Sequence, residues 1–475
     1  MNTATSSAED TVAMRLGYLI LTAFIAALGG LLFGYDWVVI SGAKPFFVPY
    51  FRLTNGNTIG WAMSCALLGA MLGAFFTGWA SDTFGRKKML ILAALLFALS
   101  SVMTGWASHF IWFSVWRLAG GVAIGIASNI SPLYIAEIAP ARLRGRLVAV
   151  NQLTIVLGIL LADIVNWRIA RPLPAHATAA VIAASWDGRF AWRWMFTAVA
   201  IPSVAFFIGS LLVPESPRWL AKKGYFERAA AVLTRIGGSQ HASSELADIR
   251  RSFQGTSRDK VNLGVLWSEA LRRPVLIGIF LAVFQQWCGI NIIFSYAQDI
   301  FQAAGYHITG VLFEIMVTGL VNLVFTLVAI GLVDKIGRRL LMLLGAGGLL
   351  VTHSLLGWAF LAHLKGWPVV ILVMAAIGCY AMTLAPVTWV LISEIFPNRI
   401  RGTAVSLAVS ALWIADFILT QTFPFLKSAV GNVGAFWLYA AICAAGFLFI
   451  LKFVPETRNR SLEQVELDFA SSVHK

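Results

Sequence analysis

The chain has 475 residues, of which 59% are hydrophobic and only 12% are charged, whereas soluble domains carry roughly a quarter charged residues. This composition excludes an ordinary soluble protein. The net charge of +14 would fit a nucleic-acid partner, but the basic residues lie in loops between long apolar runs. We therefore attribute the positive charge to membrane topology and expect no nucleic-acid partner.

Apolar runs of roughly 20 residues recur along the chain, and we count about twelve of them. The first begins near Leu16. Each run is long enough to cross about 30 Å of hydrocarbon as a helix. The first is too long and too often interrupted by glycine for a cleaved signal peptide, so we expect it to remain as a spanning helix. The sequence predicts an all-α integral membrane protein with twelve transmembrane helices.

The basic residues cluster in alternate loops, beginning with Arg86, Lys87 and Lys88 after the second run and with 142–146 after the fourth. Cytoplasmic loops are the ones that carry an excess of lysine and arginine. We therefore expect these loops and both termini to face the cytoplasm. The expected location is a bacterial-type inner (plasma) membrane, which the chain crosses many times.

Three short motifs occur twice, in the same order and after corresponding runs of the two halves. The repeated stretches are 78–88 and 334–339, 137–145 and 394–402, and 214–216 and 455–457. Such a repeat indicates two six-helix halves of the same orientation. Tandem parallel halves are a transporter arrangement in which the substrate binds near the midplane between them.

The repeat divides the chain into four parts. We expect an N-terminal six-helix bundle at 1–213, cytoplasmic linker helices at 214–273, a C-terminal six-helix bundle at 274–456 and a cytoplasmic tail at 457–475. The linker is polar, and its amphipathic stretches predict short helices.

The charged residues of the repeated motifs are expected at the cytoplasmic ends of the helices. The predicted contacts join Asp82 to nearby basic residues, Glu137 to Arg144, and Glu394 to Arg401. Pairs of this kind would lock an inner gate when the protein opens outward and part when it opens inward. Ordinary capping and anchoring of helix ends is the alternative. The predicted gate residues are Asp82, Arg86, Glu137, Arg144, Asp334, Arg338, Glu394 and Arg401.

These motifs resemble those of the major facilitator superfamily, and more closely those of its sugar porter family. The signatures are Gly-x-x-x-Asp-x-x-Gly-Arg-Lys-Lys at 78–88, Pro-Glu-Ser-Pro-Arg-Trp-Leu at 214–220, Gln-Gln-Trp-Cys-Gly-Ile-Asn at 285–291 and Pro-Glu-Thr-Arg-Asn-Arg at 455–460. The resemblance covers essentially the whole chain after the first residues. It implies two six-helix bundles that carry a monosaccharide by alternating access.

One acid, Asp36, lies inside the first apolar run, and Arg117 lies inside the fourth. If the first helix ends near Gly42, each charge lies about 9 Å from the outer end of its helix, so we expect the two to pair. An unpaired charge there would cost at least ~2.5 kcal/mol. The pair is either structural or a proton site whose proton affinity changes with the side to which the protein opens.

The resemblance bears on this choice. Sugar porters that are proton symporters, such as the bacterial xylose and galactose carriers, resemble this chain in having an aspartate at the place of Asp36. Mammalian facilitative glucose transporters have a neutral residue there. The resemblance therefore implies a monosaccharide (hexose or pentose):proton symporter. A facilitative sugar uniporter with a structural Asp36–Arg117 ion pair is the alternative.

A sugar presents many hydroxyl groups, so its site needs amides that donate and accept hydrogen bonds, together with an aromatic face. A single amide is as readily explained by a hydrogen bond between helices, and most of the 18 tryptophans must serve packing or the membrane interface. Seven residues resemble, by position, the sugar-binding residues of the family. They are Gln152, Gln285, Gln286, Asn291, Asn322, Trp389 and Trp413.

Several positions depart from the family. Asp416 stands where asparagine is usual, and it either accepts a sugar hydroxyl or is a second titrating group. Ser295 replaces a frequent tyrosine, Leu412 replaces an amide, and Ile159 replaces a glutamine of the xylose carrier, so the sequence does not identify the sugar. Asp163, near the outer end of the fifth helix, is expected to be an interfacial acid wetted by the outer cavity.

Small residues and prolines are expected to serve the moving parts. Gly29, Gly30 and Gly34 allow close approach of helices, and Pro386 is expected to bend the tenth helix, either as a gate or as a static kink.

The sequence contains no paired nucleophile and base, no metal-ligating cluster and no phosphate-binding loop. We therefore expect no enzymatic activity, no cofactor and no metal. The expected partners are the sugar, the proton and the lipid bilayer, and the protein is expected to function as a monomer.

Overall fold

The computed structural model describes residues 16–174, 177–254, 267–396 and 400–458. Within these ranges the regular structure is helical and contains no β-strand. Eleven of the helices described there are long and apolar enough to cross a membrane. The all-α membrane fold predicted from the sequence is confirmed.

The last of these helices, Arg401–Phe453, contains two spanning segments. It has 53 residues, which makes it about 80 Å long and far longer than the roughly 30 Å of hydrocarbon in a bilayer. Gly431 within it has a φ of 67° and a ψ of −174°, so the helix is interrupted there. The described part of the chain therefore has twelve spanning segments, as predicted.

We label the spanning segments α1 to α12 in chain order. The first six are α1 (Leu16–Tyr50), α2 (Gly56–Phe84), α3 (Arg86–Gly105), α4 (Phe110–Ile138), α5 (Ala141–Ile169) and α6, which joins a π-helical turn at Asp187–Ala191 to Trp192–Thr197 and Ala200–Leu212. The last six are α7 (Glu269–Trp287 and Ile290–Ser295), α8 (Ile308–Ile336), α9 (Arg338–Leu361), α10 (Trp367–Met382 and Leu384–Glu394), and α11 and α12, the parts of Arg401–Phe453 before and after Gly431.

Four further helices connect these segments within the described ranges. Ala179–Ala184 precedes α6, and Ala297–Ala303 follows α7. Pro217–Lys222 and Phe226–Gln254 lie in the segment between the two halves, where the sequence predicts linker helices. The longer of the two bends at Gly238, which has a φ of 81°.

The first helix is longer than the sequence predicts. It ends at Tyr50 rather than near Gly42, although Pro45 and Pro49 lie inside it. The residues after Gly42 continue the buried surface, because Phe46 and Phe47 are both fully buried. Asp36 therefore lies about 21 Å from the end of α1, deeper than the 9 Å that the sequence predicts.

Close backbone contacts through glycine hold α1 against α5. A Cβ atom added to Gly34 would lie 1.9 Å from the main-chain oxygen of Ile155, and one added to Gly158 would lie 2.0 Å from the main-chain oxygen of Leu31. Helices in a membrane gain little from hydrophobic burial against each other, so such close packing is a main source of their association. The predicted role of Gly34 in close helix approach is confirmed.

The first repeated motif turns the chain between α2 and α3. Gly85 there has a φ of 99°, a conformation that favours glycine. The carboxylate of Glu215 accepts hydrogen bonds from the main-chain N–H groups of Arg86 (2.9 Å) and Lys87 (3.1 Å), the first residues of α3. Burial raises the pKa of Glu215, and these N–H donors act in the opposite direction. The acid therefore caps α3 from a distant part of the chain.

The same construction occurs between α8 and α9. Gly337 has a φ of 101°, and Glu456 accepts hydrogen bonds from the main-chain N–H groups of Arg338 (3.0 Å) and Arg339 (3.2 Å). The repeated Pro-Glu-Ser and Pro-Glu-Thr motifs thus supply helix caps, in which a negative charge also complements the helix dipole.

We expect Gly34→Ala to destabilise the protein, although alanine is ordinarily the better helix former. The added methyl group would meet the backbone of α5 at 1.9 Å. Overpacking of this kind typically lowers the free energy of unfolding by about 1–3 kcal/mol. The thermal unfolding midpoint in detergent should fall. Gly17→Ala is the matched control on α1, because nothing lies within 4 Å of its added methyl group. Equal midpoints for the two variants would contradict the packing described for α1 and α5.

Candidate functional site

A buried ion pair joins α1 to α4. Asp36 and Arg117 are each only 2% exposed. The Arg117 Nη1 donates to both carboxylate oxygens of Asp36 at 2.9 Å, and its Nη2 donates to the main-chain oxygen of Asp36 at 3.3 Å. The guanidinium also lies 5.4 Å from the ring centroid of Phe196 on α6. The contact predicted between these two charges is present, and its role remains a prediction.

The residues around Asp36 on α1 reach the other half of the molecule. Phe33 and Trp37 are one helical turn apart and so lie on the same side of α1. The Phe33 ring lies 5.9 Å from that of Trp413 on α11, and the Trp37 ring lies 5.7 Å from that of Phe294 on α7. One turn of α1 therefore holds an ion pair with its own half and aromatic contacts with the other.

A second set of buried polar side chains lies where α7 is interrupted. Gly289 has a φ of 91° and separates the two helical parts of α7. A side chain there would also collide with Tyr439 on α12, whose ring lies 2.7 Å from the position of an added Cβ atom. The interruption places Gln285 and Gln286 before the break and Asn291 just after it.

We call Gln285, Gln286, Asn291 and Asp416 the amide cluster. All four are buried. Gln286 donates to the side-chain oxygen of Gln285 at 3.2 Å, and Asn291 donates to the side chains of Gln286 and, at 3.0 Å, Asp416 on α11. Gln285 also donates to the main-chain oxygen of Ala385 at 3.3 Å. The cluster thus connects α7, α10 and α11 through side chains that both donate and accept hydrogen bonds.

The break in α10 lies beside this cluster. Thr383, three residues before Pro386, has a φ of −130° and a ψ of −84° and separates the two parts of the helix. The bend that the sequence predicts near Pro386 is therefore present. Discontinuous helices that expose main-chain groups next to buried side chains are typical of substrate sites in transporters.

The other predicted substrate residues make no hydrogen bond to the amide cluster among the described residues. Trp413 is buried on α11, three residues before Asp416, and its indole N–H has no hydrogen-bond partner. Gln152 on α5 is half-buried, Asn322 on α8 is 5% exposed, and Trp389 on α10 is 40% exposed. In the part of the chain that the structure describes, none of these last three makes a hydrogen bond to the cluster.

The positions that depart from the family also lie in the interior. Ser295 on α7, Leu412 on α11 and Ile159 on α5 are 8%, 3% and 4% exposed. Leu412 directly precedes Trp413, and Ser295 follows Phe294, which contacts α1.

Three charges that sequence reasoning missed join the two halves near the C-terminal end of α1. Lys44 on α1 pairs with Asp299, in the helix after α7, and Lys427 on α11 donates to Asp299 at 2.9 Å. Burial opposes ionisation of Asp299, but the two lysines hold its pKa below the usual value. Lys44 is 7% exposed. The signal was a lysine within an apolar stretch, but the sequence gives no relative position for residues in different halves.

Uncharged contacts join the halves in the same region. Gln421 on α11 accepts a hydrogen bond from Ser64 on α2 at 2.7 Å and donates to the side chain of Asn57, also on α2, at 2.8 Å. The helices therefore meet closely at this end of the bundle.

The acidic residue Glu137 at the end of α4 pairs with Arg86, whereas the sequence predicts a pair with Arg144. Arg86 Nη2 lies 2.9 Å from Glu137, and its Nη1 lies 3.0 Å from Asp82. Arg144 instead donates to the main-chain oxygen of Ala136 at 3.0 Å. The predicted Glu137–Arg144 pair is wrong because Arg86, the first residue of α3, lies closer to the carboxylate.

The corresponding residues of the second half are arranged alike. Arg338 lies 3.2 Å from Glu394, which also accepts a hydrogen bond from Thr457 at 2.6 Å. The side chains of Asp334 and Arg401 lie outside the described residues, so the predicted Glu394–Arg401 pair remains a prediction.

Asp163 on α5 is not the wetted interfacial acid that the sequence predicts. It is 2% exposed, and its Oδ1 has no hydrogen-bond partner among the described residues. The sequence misled because Asp163 lies near the end of its apolar run, whereas the packing of α8 against α5 covers it.

We expect a double-mutant cycle to distinguish the two candidate partners of Glu137. Arg86→Gln and Glu137→Gln should show a coupling energy of roughly 0.5–3 kcal/mol, because the two charges touch and each is left buried without the other. Stability would be measured by unfolding in detergent.

The matched cycle pairs Glu137→Gln with Arg144→Gln and should give additive effects. Coupling of Glu137 to Arg144 with none to Arg86 would contradict the observed contact.

Comparison with known proteins places the chain in a family. Residues 22–469 match the family described as "Sugar (and other) transporter". The arabinose-proton symporter of Bacillus subtilis is 36% identical over 452 residues, covering 95% of each chain. The D-xylose-proton symporter of Escherichia coli is 36% identical over 94% of this chain and 95% of its own. The galactose-proton symporter of Escherichia coli is 37% identical over 93% and 92%.

A solved structure agrees with these relatives. The inward-open conformation of the xylose transporter XylE from E. coli superimposes with a TM-score of 0.82 at 35% identity, over 94% of this chain and 98% of that one. The family and these relatives are transporters. The twelve apolar segments and the bacterial relatives make this a multi-pass plasma-membrane protein, and the chain belongs to the sugar porter family of the major facilitator superfamily.

Proposed function

We propose that this protein carries a monosaccharide, a hexose or a pentose, together with a proton by alternating access. The observation that carries the proposal is the buried Asp36–Arg117 pair on a helix that also contacts the other half. Relatives of this chain are named as symporters of arabinose, xylose and galactose with protons. These names support symport and leave the sugar open.

The amide cluster is the proposed centre of the sugar site. A neutral polyol needs partners that donate and accept, and amide side chains do both. In this conformation Gln286 and Asn291 satisfy one another, so a sugar hydroxyl would replace a contact within the cluster rather than meet an unpaired group. Asp416 adds an acceptor with a charge. We include Gln152, Asn322, Trp389 and Trp413 as residues that approach the sugar when the halves rearrange.

Proton coupling is assigned to Asp36 and Arg117. Protonation of Asp36 would remove one charge of the pair and weaken its hold on α4, whereas loss of the proton would restore it. Phe33 and Trp37 contact α11 and α7, the helices that carry the amide cluster. A shift of α1 would therefore also displace these helices. Proton binding and sugar binding are thereby joined through one helix. In a uniporter the same pair would be structural, and the names of the relatives do not favour that alternative.

Alternating access requires contacts between the halves that form on one side and part on the other. We propose that residues 1–213 and 274–456 move as two bundles, linked by 214–273. By the positive-inside rule, the Lys44–Asp299–Lys427 contacts lie on the outer side, where they would close the entrance.

The predicted gate residues lie at the opposite ends of their helices. Arg86 with Asp82 and Glu137, and Arg338 with Glu394, join neighbouring helices within one half. We propose that they fix the shape of each bundle at the cytoplasmic gate, with Arg144 tying the turn after α4 to the linker through Glu245 at 3.9 Å. Asp334 and Arg401 are assigned to the same gate by the repeat.

We expect Gln286→Ala to weaken sugar binding about 2- to 13-fold, because a net hydrogen bond contributes roughly 0.5–1.5 kcal/mol. Binding to the purified protein would be measured by calorimetry with the transported sugar. Gln302→Ala is the matched control, since Gln302 is an exposed glutamine beyond α7. Unchanged affinity in Gln286→Ala would remove that residue from the site.

We expect Asp36→Asn to abolish accumulation of sugar against a gradient, because asparagine cannot carry the proton. Counterflow, which exchanges sugar for sugar without net proton movement, should continue. The measurement is labelled-sugar uptake in energised cells and counterflow in proteoliposomes. Asp248→Asn, on an exposed face of the linker, is the control and should accumulate sugar normally.

Loss of counterflow as well as accumulation in a folded Asp36→Asn variant would mean that Asp36 is structural. Full accumulation by the variant would exclude Asp36 as the coupling residue.

A further inference from the structure

Asp163 is a buried acid for which the proposed transport cycle so far has no use. It lies on α5, is 2% exposed, and its Oδ1 has no hydrogen-bond partner. It also takes part in no ion pair within the described ranges. Asp36 is equally buried, but it has Arg117. The two acids are therefore equally buried, but of the two only Asp36 has a charged partner among the described residues.

Asp163 lies in the contact between the two halves. A Cβ atom added to Gly319 on α8 would lie 2.6 Å from Oδ2 of Asp163, so the backbone of α8 directly covers the carboxyl group. Because Gly319 has no side chain, α8 can approach the carboxyl group this closely. Any movement of α8 away from α5 would uncover the acid.

The charged groups on the packed helices are engaged elsewhere. Arg117 on α4 binds Asp36, and Arg193 on α6 donates to the main-chain oxygens of Gly105 and Ala107. On α5 itself, the guanidinium of Arg168 lies 5.9 Å from the Trp167 ring.

The remaining titratable groups near Asp163 are neutral or acidic. Tyr35 on α1 is 1% exposed, its hydroxyl group is unpaired, and it lies within electrostatic range of both Asp163 and Asp36. Glu314 on α8 is 5% exposed. Neither supplies a positive charge to stabilise an ionised Asp163.

An ionised carboxylate without a cation or a donor is strongly disfavoured in a membrane interior, whereas a protonated acid is neutral. Once water reaches it, an aspartic acid ionises near pH 4, about 3.9 in model peptides. Contact between α5 and α8 therefore retains a proton on Asp163, and separation of these helices releases it.

We propose that Asp163 is a second proton-carrying residue of the transport cycle, an inference that rests on the proposed symport. Its carboxylate takes a proton from a hydronium ion of the outer cavity as α8 closes over it, which leaves water, and holds the proton while α8 covers the site. The O–H bond breaks when water enters from the inner side, and the proton passes to that water. Asp416 differs, because it accepts a hydrogen bond from Asn291.

The test is the number of protons moved per sugar in proteoliposomes, from the pH change and labelled-sugar uptake measured on one sample. Asp163→Asn should lower this number by one and leave sugar counterflow intact. Asp163→Glu, which retains an acid, should keep the wild-type number, and Asp248→Asn is the control. An unchanged number in Asp163→Asn would overturn the proposal. Wild-type protein that moves sugar without protons would instead refute the proposed symport.

A second measurement covers the case in which Asp163→Asn fails to fold. In protein labelled with ¹³C-carboxyl aspartate, infrared spectra at neutral pH should show the carbonyl stretch of a protonated aspartic acid. Asp163→Glu should lose the labelled band of one such acid. An identical labelled band in Asp163→Glu would mean that Asp163 is ionised in the wild type, which contradicts the proposal.

Discussion

Asp36 and Arg117 can lie in apolar surroundings only because each neutralises the other. Removing either partner would leave a buried charge, which typically costs 3–5 kcal/mol, about as much as many core truncations. The contact of Arg117 Nη1 with both carboxylate oxygens of Asp36 fixes α1 against α4, and the glycines of α1 and α5 bring their backbones together on another side. The position of α1 is thus set by a charge pair that a single proton would disturb.

The consequences of moving α1 extend to both ends of the proposed pathway. Midway along the helix, Phe33 and Trp37 contact α11 and α7, which carry the amide cluster. Near its C-terminal end, Lys44 pairs with Asp299 beyond α7. The helix that carries the proposed proton site therefore also contacts the helices of the proposed substrate site and pairs with the other half. In our proposal Asp163 is a second place where contact between the halves would control a proton, since α8 covers it directly.

Much of this architecture could be predicted from the sequence because the membrane imposes strong constraints on it. Hydropathy predicts the spanning segments, and the repeated motifs predict two similar halves. The pairing of Asp36 with Arg117 was predicted correctly from two opposite charges in one half, although Asp36 lies deeper in its helix than the sequence predicts. The same reasoning failed for Glu137, because Arg86 and Arg144 are both near the end of α4 and only the turn at Gly85 decides between them. It also placed the end of α1 near Gly42, whereas the helix continues through Pro45 and Pro49 to Tyr50. Contacts between the halves, such as Lys44 with Asp299 and α8 over Asp163, could not be predicted. A single sequence does not give the position of one half relative to the other.

The most direct test of sugar:proton symport is the external pH of de-energised cells that express the protein. Xylose, glucose, galactose, arabinose, fructose and inositol would be added one at a time, with cells lacking the protein as the control. We predict alkalinisation of the medium with at least one of these sugars, which would establish symport and identify a substrate together. Entry of a labelled sugar without any change in external pH would contradict the account, because Asp36 and Arg117 would then hold a uniporter together and move no protons.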